Sequence, residues 1–272
     1  MLKQRILTAL VLIPLVIAGV LLLPTVWFGI LLGLVLLMAA EEWSKLAGLT
    51  SYGSFMGFLA AVTIGVLAVV WMLIQGVGLL PLFLLVSLWW IWTAARIVRI
   101  GEIRMLKGPD AGAFVSGLVV LIPAWAGLVW IHQSSRGPYL VLFLLVLIWI
   151  ADSGAYFAGR RWGRRKLAPL VSPGKTREGA YGALAGGLLW GGVLAAFYGV
   201  SAPQQGGLLL LCLLTVVASI VGDLYESLSK RERGVKDSGT LLPGHGGILD
   251  RIDSLTAAAP VFALGLYLMG AV

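Results

Sequence analysis

Long apolar runs, each separated from the next by a short polar interval, repeat along this chain from residue 6 to its end. An α-helix rises 1.5 Å per residue, so about 20 apolar residues cross a hydrocarbon core. Nine segments approach that length: 6–23, 26–40, 55–74, 79–94, 112–131, 139–158, 179–200, 207–222 and 254–272. The runs at 26–40 and 79–94 are short. The pattern predicts an all-α, polytopic integral membrane protein of about nine transmembrane helices, with no long soluble domain between them and no evident internal repeat. The run at 6–23 is long for a signal-peptide core and no small-residue cleavage site follows it, so it is read as an uncleaved anchor.

Composition agrees with the pattern. The chain of 272 residues is 60% apolar and 12% charged, where soluble domains average about 45–50% and about 25%. Lys and Arg number 20 against 12 Asp and Glu, a net charge of +8. In a soluble protein that excess would raise nucleic acid as a partner, but here the location of the bases decides. With the N-terminus cytoplasmic, 19 of the 20 bases fall in inner segments and only Arg136 lies outside. The positive-inside rule therefore expects N-in and C-out. Nucleic acid is not an expected partner. The outer loops, 24–25, 75–78, 132–138 and 201–206, are short and poor in charge, which assigns the chemistry to the cytoplasmic face. Cys212 is the single cysteine, so neither an intrachain disulfide nor a Cys-rich metal site is available. Tryptophans near span ends, Trp27, Trp71 and Trp130 outside and Trp43, Trp89, Trp90, Trp92, Trp149 and Trp162 inside, read as two interfacial belts. Gly182, Gly186, Gly187 and Gly191 repeat at a spacing that favours close helix packing, within one chain or between two.

Ionisable groups at lipid depth are costly, and so mark candidate chemistry. Asp152 ends one apolar run and Asp223 directly follows another. Asp223, Glu226, Ser227 and Lys230 fall at i, i+3, i+4 and i+7, one stripe of a helix. The bland reading is a solvated helix end with Glu226 pairing to Lys230; the functional one is a site. After Arg231 come Lys236 and Asp237, then Gly239, then Pro243, Gly244, His245, Gly246 and Gly247. Such a loop exposes backbone amides that could approach an oxyanion such as phosphate, or it is an ordinary inter-helix turn. A helix then restarts with Asp250, Arg251 and Asp253. Oxygen donors suit a hard cation such as Mg²⁺, which takes one or two carboxylates plus substrate phosphates, whereas the scarcity of His and Cys argues against zinc. Carboxylates beside Lys and Arg are what phosphoryl or nucleotidyl transfer requires.

A second basic element lies at 159–178. Seven bases stand between Arg160 and Arg177, with Glu178 the single acid, and residues 172–179 are expected to turn into the next helix. Gly174-Lys175-Thr176 is not a Walker A motif, because Pro169 stands where that motif needs Gly and no strand is expected before it. The segment is either a positive-inside signal or an anion-binding helix N-terminus with Lys175 and Arg177 reaching phosphate.

Ser227-Leu228-Ser229-Lys230-Arg231, then Lys236-Asp237-Ser238-Gly239, then Pro243-Gly244-His245-Gly246-Gly247-Ile248-Leu249-Asp250-Arg251-Ile252-Asp253 resembles the signature of phosphatidate cytidylyltransferases, or CDP-diacylglycerol synthases. The match departs at Ser229, where the pattern prefers a large apolar residue. Lys3-Gln4-Arg5-Ile6, Asp152-Ser153-Gly154-Ala155-Tyr156 and residues 172–179 are similar to the family as well. The resemblance implies transfer of the cytidylyl group of CTP to phosphatidic acid, giving CDP-diacylglycerol and pyrophosphate in the cytoplasmic membrane. It also implies a homodimer and a paired metal site, Mg²⁺ with K⁺, held by Asp223 and Asp250, with Ser227 and Lys230 lining it. Lys175, Arg177, Lys236, Asp237, His245, Asp152 and Arg251 are the further substrate-binding candidates. On this reading the chain is one membrane domain, with residues 1–131 for packing and lipid access and 139–272 for catalysis through loops 159–178 and 223–253. The alternatives are a CTP-dependent lipid-alcohol kinase, an ion-coupled transporter using Asp152, Asp223 and Asp250, and a scaffold.

Overall fold

A computed structural model describes residues 2–198, 201–239 and 246–270 of the chain. Among them it forms nine α-helices and one hairpin: α1 (Leu2–Leu22), α2 (Thr25–Leu46), α3 (Tyr52–Ile74), α4 (Leu80–Arg99), α5 (Ala111–His132), α6 (Gly137–Trp162), β1 (Lys166–Ala168), β2 (Ser172–Thr176), α7 (Arg177–Tyr198), α8 (Ala202–Glu232) and α9 (Leu249–Leu268). Seven of the described helices, α2 to α8, are long and apolar enough to cross a membrane. The described apolar part of α1, Leu10–Leu22, is shorter, and α9 opens on charged residues and falls outside that set.

Several helices outrun their apolar stretches. Where the hydrophobic pattern ends at residue 40, α2 continues through Glu41, Glu42, Trp43, Ser44 and Lys45; α8 continues from 222 to Glu232. Glu, Lys and Arg are good helix formers, so loss of hydrophobicity does not end a helix. These extensions lift charged side chains beyond the apolar run while keeping them on rigid backbone.

The most extensive packing joins α6 to α7, α8 to α9 and α5 to α9. Glycine permits it. A Cβ on Gly182 would stand 2.5 Å from the Gly154 carbonyl oxygen of α6, while one on Gly187 would meet Val216 and one on Gly191 would meet Cys212 of α8. The glycine stripe therefore packs α7 between two neighbours of the same chain. The most enclosed apolar helix, α5, has Gly117 against the rings of Trp43 and Phe58 and Gly127 against the backbone of Ala259.

Two expectations change. The basic loop is not a simple turn: β1 and β2 pair antiparallel, Lys166 with Thr176 and Ala168 with Ser172, so the all-α reading gains a two-stranded hairpin. A strand does precede Gly174-Lys175-Thr176, but those residues lie within β2 itself and not in a strand-to-helix loop. The tryptophan belts are also partly reassigned. Trp27, Trp71, Trp92 and Trp162 are exposed, but Trp43, Trp90 and Trp130 are buried. The indole N–H of Trp43 donates to the Ala113 carbonyl at 2.8 Å, a partner that lets an amphipathic ring sit inside the bundle.

Candidate active site

The sequence stripe on α8 divides between two neighbours. Asp223 faces the hairpin, where its Oδ2 lies 2.5 Å from Lys175 Nζ and its Oδ1 lies 3.4 Å from Ser227 Oγ. Lys175 belongs to β2, one residue before the N-cap of α7. Thr176 Oγ1 accepts the amide of Gly179 at 3.1 Å, the standard means of satisfying a helix's first free N–H groups. The Glu178 carboxylate accepts the amides of Arg164 and Arg165 at 3.0 and 3.2 Å, which ties the base of the hairpin to the same helix end. Lys175 is thereby held over α8 by backbone geometry.

Beneath it opens a cleft of about 510 Å³ between α6, α7, α8 and β2, lined by Asp152, Tyr156, Arg160, Lys175, Thr176 and Asp223 among smaller residues. Arg160 donates to the Tyr156 hydroxyl at 2.7 Å. The cleft therefore combines two carboxylates with two bases at the end of three apolar helices, and glycine and alanine on its walls leave room for a ligand.

Glu226 and Lys230 turn the other way. Lys230 Nζ lies 2.6 Å from Glu226 Oε2 and 2.6 Å from Asp250 Oδ1. Glu226 is 3% exposed, so this is a buried pair and not a solvated helix end. The other oxygen of Asp250, Oδ2, accepts the Gly247 amide at 2.8 Å and the Ser238 amide at 3.1 Å, with Ser238 Oγ also at 3.1 Å. Beside it lies a residue from the far end of the chain. Glu42 of α2 accepts the amide of Ile248 on Oε1 at 2.9 Å and that of Leu249 on Oε2 at 2.8 Å; Ser238 Oγ lies 2.9 Å from Oε2.

The sequence-derived candidates thus separate. Asp152, Lys175 and Asp223 meet in the cleft with Ser227 behind Asp223, whereas Lys230 and Asp250 form the adjoining cluster. Arg177 is exposed at the first position of α7, Lys236 and Asp237 are exposed after α8, and Arg251 is exposed on the first turn of α9. His245 lies outside the described residues. Sequence reasoning missed Tyr156, Arg160, Ser238 and Glu42 as site components. Arg160 carried a signal as one of the seven loop bases; Glu42 carried none that tied it to this site, because its partners Ser238, Ile248 and Leu249 are remote in sequence. Among the described residues the Gly247 amide at the end of the glycine-rich loop donates to the Asp250 carboxylate, and the next two amides, Ile248 and Leu249, donate to Glu42.

The donor set suits a hard cation. Asp152 and Asp253 both lie in the electrostatic field of Asp223, with Lys175 as the nearby counter-charge, so carboxylates outnumber ammonium groups around it. Among the described residues no three His, Cys, Asp or Glu side chains converge as a ready-made cage. A cation here would draw remaining ligands from substrate phosphates and water, as Mg²⁺ commonly does.

Comparison with known proteins adds an independent finding. A family model described as "Cytidylyltransferase family" matches residues 3–269. A protein of Pseudomonas aeruginosa named phosphatidate cytidylyltransferase is 44% identical over 270 residues, covering 99% of this chain and 98% of its own length. A Haemophilus influenzae protein of that name is 38% identical, covering 97% and 98%, and one from Brucella suis is 36% identical, covering 100% and 94%.

Proposed function

The chain belongs to the cytidylyltransferase family, and from that premise we propose that it transfers the cytidylyl group of CTP to phosphatidic acid, forming CDP-diacylglycerol and releasing pyrophosphate. The observation that carries this reading is the Lys175–Asp223 pair at the mouth of a cleft bounded by apolar helices. One reactant is a soluble nucleotide and the other a lipid phosphate, and this cleft has a charged mouth beside surfaces suited to acyl chains.

Lys175 and Arg160 bind and orient phosphate oxygens at the mouth. Lys230 sits on the neighbouring cluster, and exposed Lys236, Arg177 and Arg251 supply a basic approach for the triphosphate, with Asp237 next to Lys236 in the chain; His245 is kept as a substrate-binding candidate on the resemblance alone. The phosphate of phosphatidic acid attacks the α-phosphorus of CTP in line, the Pα–O bond to the β-phosphate breaks, and pyrophosphate leaves. A phosphate monoester is already ionised near pH 7, so no side chain need act as general base. Asp223 and Asp250 are the carboxylates proposed to hold Mg²⁺, with the carboxyl groups of Asp152 and Asp253 near Asp223; when bound, the cation would screen repulsion between the two anionic reactants. Ser227 donates to Asp223 and fixes its rotamer.

All nine helices span the cytoplasmic membrane in this proposal, N-terminus inside and C-terminus outside, which sets loops 159–178 and 223–253 at the cytoplasmic face. The expected homodimer belongs to the same proposal on the strength of the resemblance. Purified protein incubated with phosphatidic acid, Mg²⁺ and CTP labelled in its α-phosphate tests the reaction. Label in the lipid with equimolar pyrophosphate supports it; release of CDP instead would identify a CTP-dependent kinase. Solute flux in liposomes without CTP would favour a transporter.

A further inference from the structure

Glycines at 239 and 247 flank a carboxylate that comes from outside their loop. A Cβ on Gly239 would stand 2.5 Å from Glu42 Oε1, and one on Gly247 would also stand 2.5 Å from that oxygen. Both positions are thus closed to side chains by Glu42, which is 4% exposed. The first turn of α9 explains why a carboxylate belongs there. Its own N-cap residue, Ile248, offers no side-chain cap, so the opening amides of the helix would be buried without acceptors. Glu42 accepts two of them, Ile248 and Leu249, and Asp250 accepts the preceding one, Gly247. Ser238 Oγ lies between the two carboxylates, at 2.9 Å from Glu42 and 3.1 Å from Asp250. Negative charge at a helix N-terminus is also favoured by the helix dipole.

We infer that Glu42 is a positioning residue for the reaction: as the N-terminal cap of α9 supplied from α2, it sets the rotamer and depth of Asp250 and, through Asp250, of Lys230. This rests on the cytidylyl-transfer reading above. A second helix could have been capped locally by Ser, Thr, Asp or Asn at 248. Drawing the cap from α2 instead makes the geometry of Asp250 depend on the N-terminal helices, which would otherwise serve packing and lipid access alone. Gln in place of Glu42 keeps the volume but offers one acceptor oxygen and turns an amide N–H₂ toward donors, so at least one of the three contacts is lost and the α9 turn shifts.

The test compares wild type, Glu42→Gln, Ser238→Ala and the double variant as purified full-length protein, with kcat, KM for CTP and the thermal unfolding midpoint measured for each. Misplacement of a reacting group by about 1 Å costs up to about 10²-fold in rate. The expected result is a kcat lowered about tenfold or more in Glu42→Gln with KM for CTP unchanged, and a double variant no slower than Glu42→Gln alone, because both substitutions release the same turn. Glu42→Asp, which retains the charge, should recover part of the lost kcat. A Glu42→Gln enzyme with wild-type kcat would overturn the inference. So would a rate loss fully matched by loss of folded protein, since that reports packing only. If wild type itself transfers no cytidylyl group, the underlying functional reading fails instead, and the two failures are separate.

Discussion

Asp223 sits where three requirements converge: it ends an apolar run, it pairs with Lys175 at 2.5 Å, and it borders the cleft. Asp223→Asn removes the negative charge while preserving size and hydrogen-bonding shape. Loss of a group aimed at developing charge costs about 10²- to 10³-fold in kcat, so the variant is expected to fold, to elute as wild type on size exclusion, and to lose cytidylyl transfer by about that factor in the labelled-CTP assay. Near-normal activity would remove Asp223 from the mechanism. A subtler prediction concerns Thr176. Replacing it with Val keeps the β-branched shape but deletes the acceptor for the Gly179 amide. Cap deletions cost about 0.5–2 kcal/mol, and the unfolding midpoint in detergent should fall accordingly, with transfer reduced because Lys175 precedes the cap directly. At this scale Asp223 was legible because it borders a long apolar run, Lys230 because it shares that residue's helical stripe, and Asp250 because it lies in the segment that resembles the family signature. Glu42 was not, since its three hydrogen-bond partners, Ser238, Ile248 and Leu249, lie about two hundred residues away along the chain.

Among elements, α7 depends on small residues most directly. Gly182 faces Ala158 and the Gly154 carbonyl across the α6 interface, and a larger side chain there has no space. Overpacking costs about 1–3 kcal/mol and more when backbone is the obstacle. Gly182→Leu is therefore expected to separate α6 from α7, lower the unfolding midpoint and widen the cleft, with transfer falling even though no catalytic group changes. An unaltered midpoint would mean that α7 is not packed this closely. The four-residue glycine spacing announced such packing but not its partner, because small-residue stripes serve contacts within and between chains equally well. The hairpin was hidden for a different reason. Its strands are only three and five residues long, with Pro169 in the turn between them and Pro173 inside β2, so they lack the alternation by which a half-buried strand is recognised. Their pairing is set by the close return of the chain between α6 and α7.

For the molecule as a whole, the arrangement of bases predicts a topology that labelling can check. Cys212 is fully buried against α7 and should stay silent toward a membrane-impermeant maleimide. Exposed Ser135 and Glu102 lie in loops on opposite sides of the proposed orientation. Ser135→Cys should react in intact spheroplasts and Glu102→Cys only after permeabilisation; the reverse pattern would invert the topology.

Sequence alone determined that this is a helical membrane protein with its charges gathered into the intervals between apolar runs, because the cost of burying charge in hydrocarbon is large, acts on each residue separately, and leaves its record in order along the chain. It also determined the family, through a run of specified residues at the end of α8 and the start of α9. Tertiary structure decided which charges work together. It divided a single helical stripe into an Asp223–Lys175 cleft and a Lys230–Asp250 cluster, raised a hairpin to deliver Lys175, and brought Glu42 from α2 to cap α9. These pairings follow from packing between distant segments, where the need to satisfy every buried amide and carboxylate selects partners that no local pattern can specify.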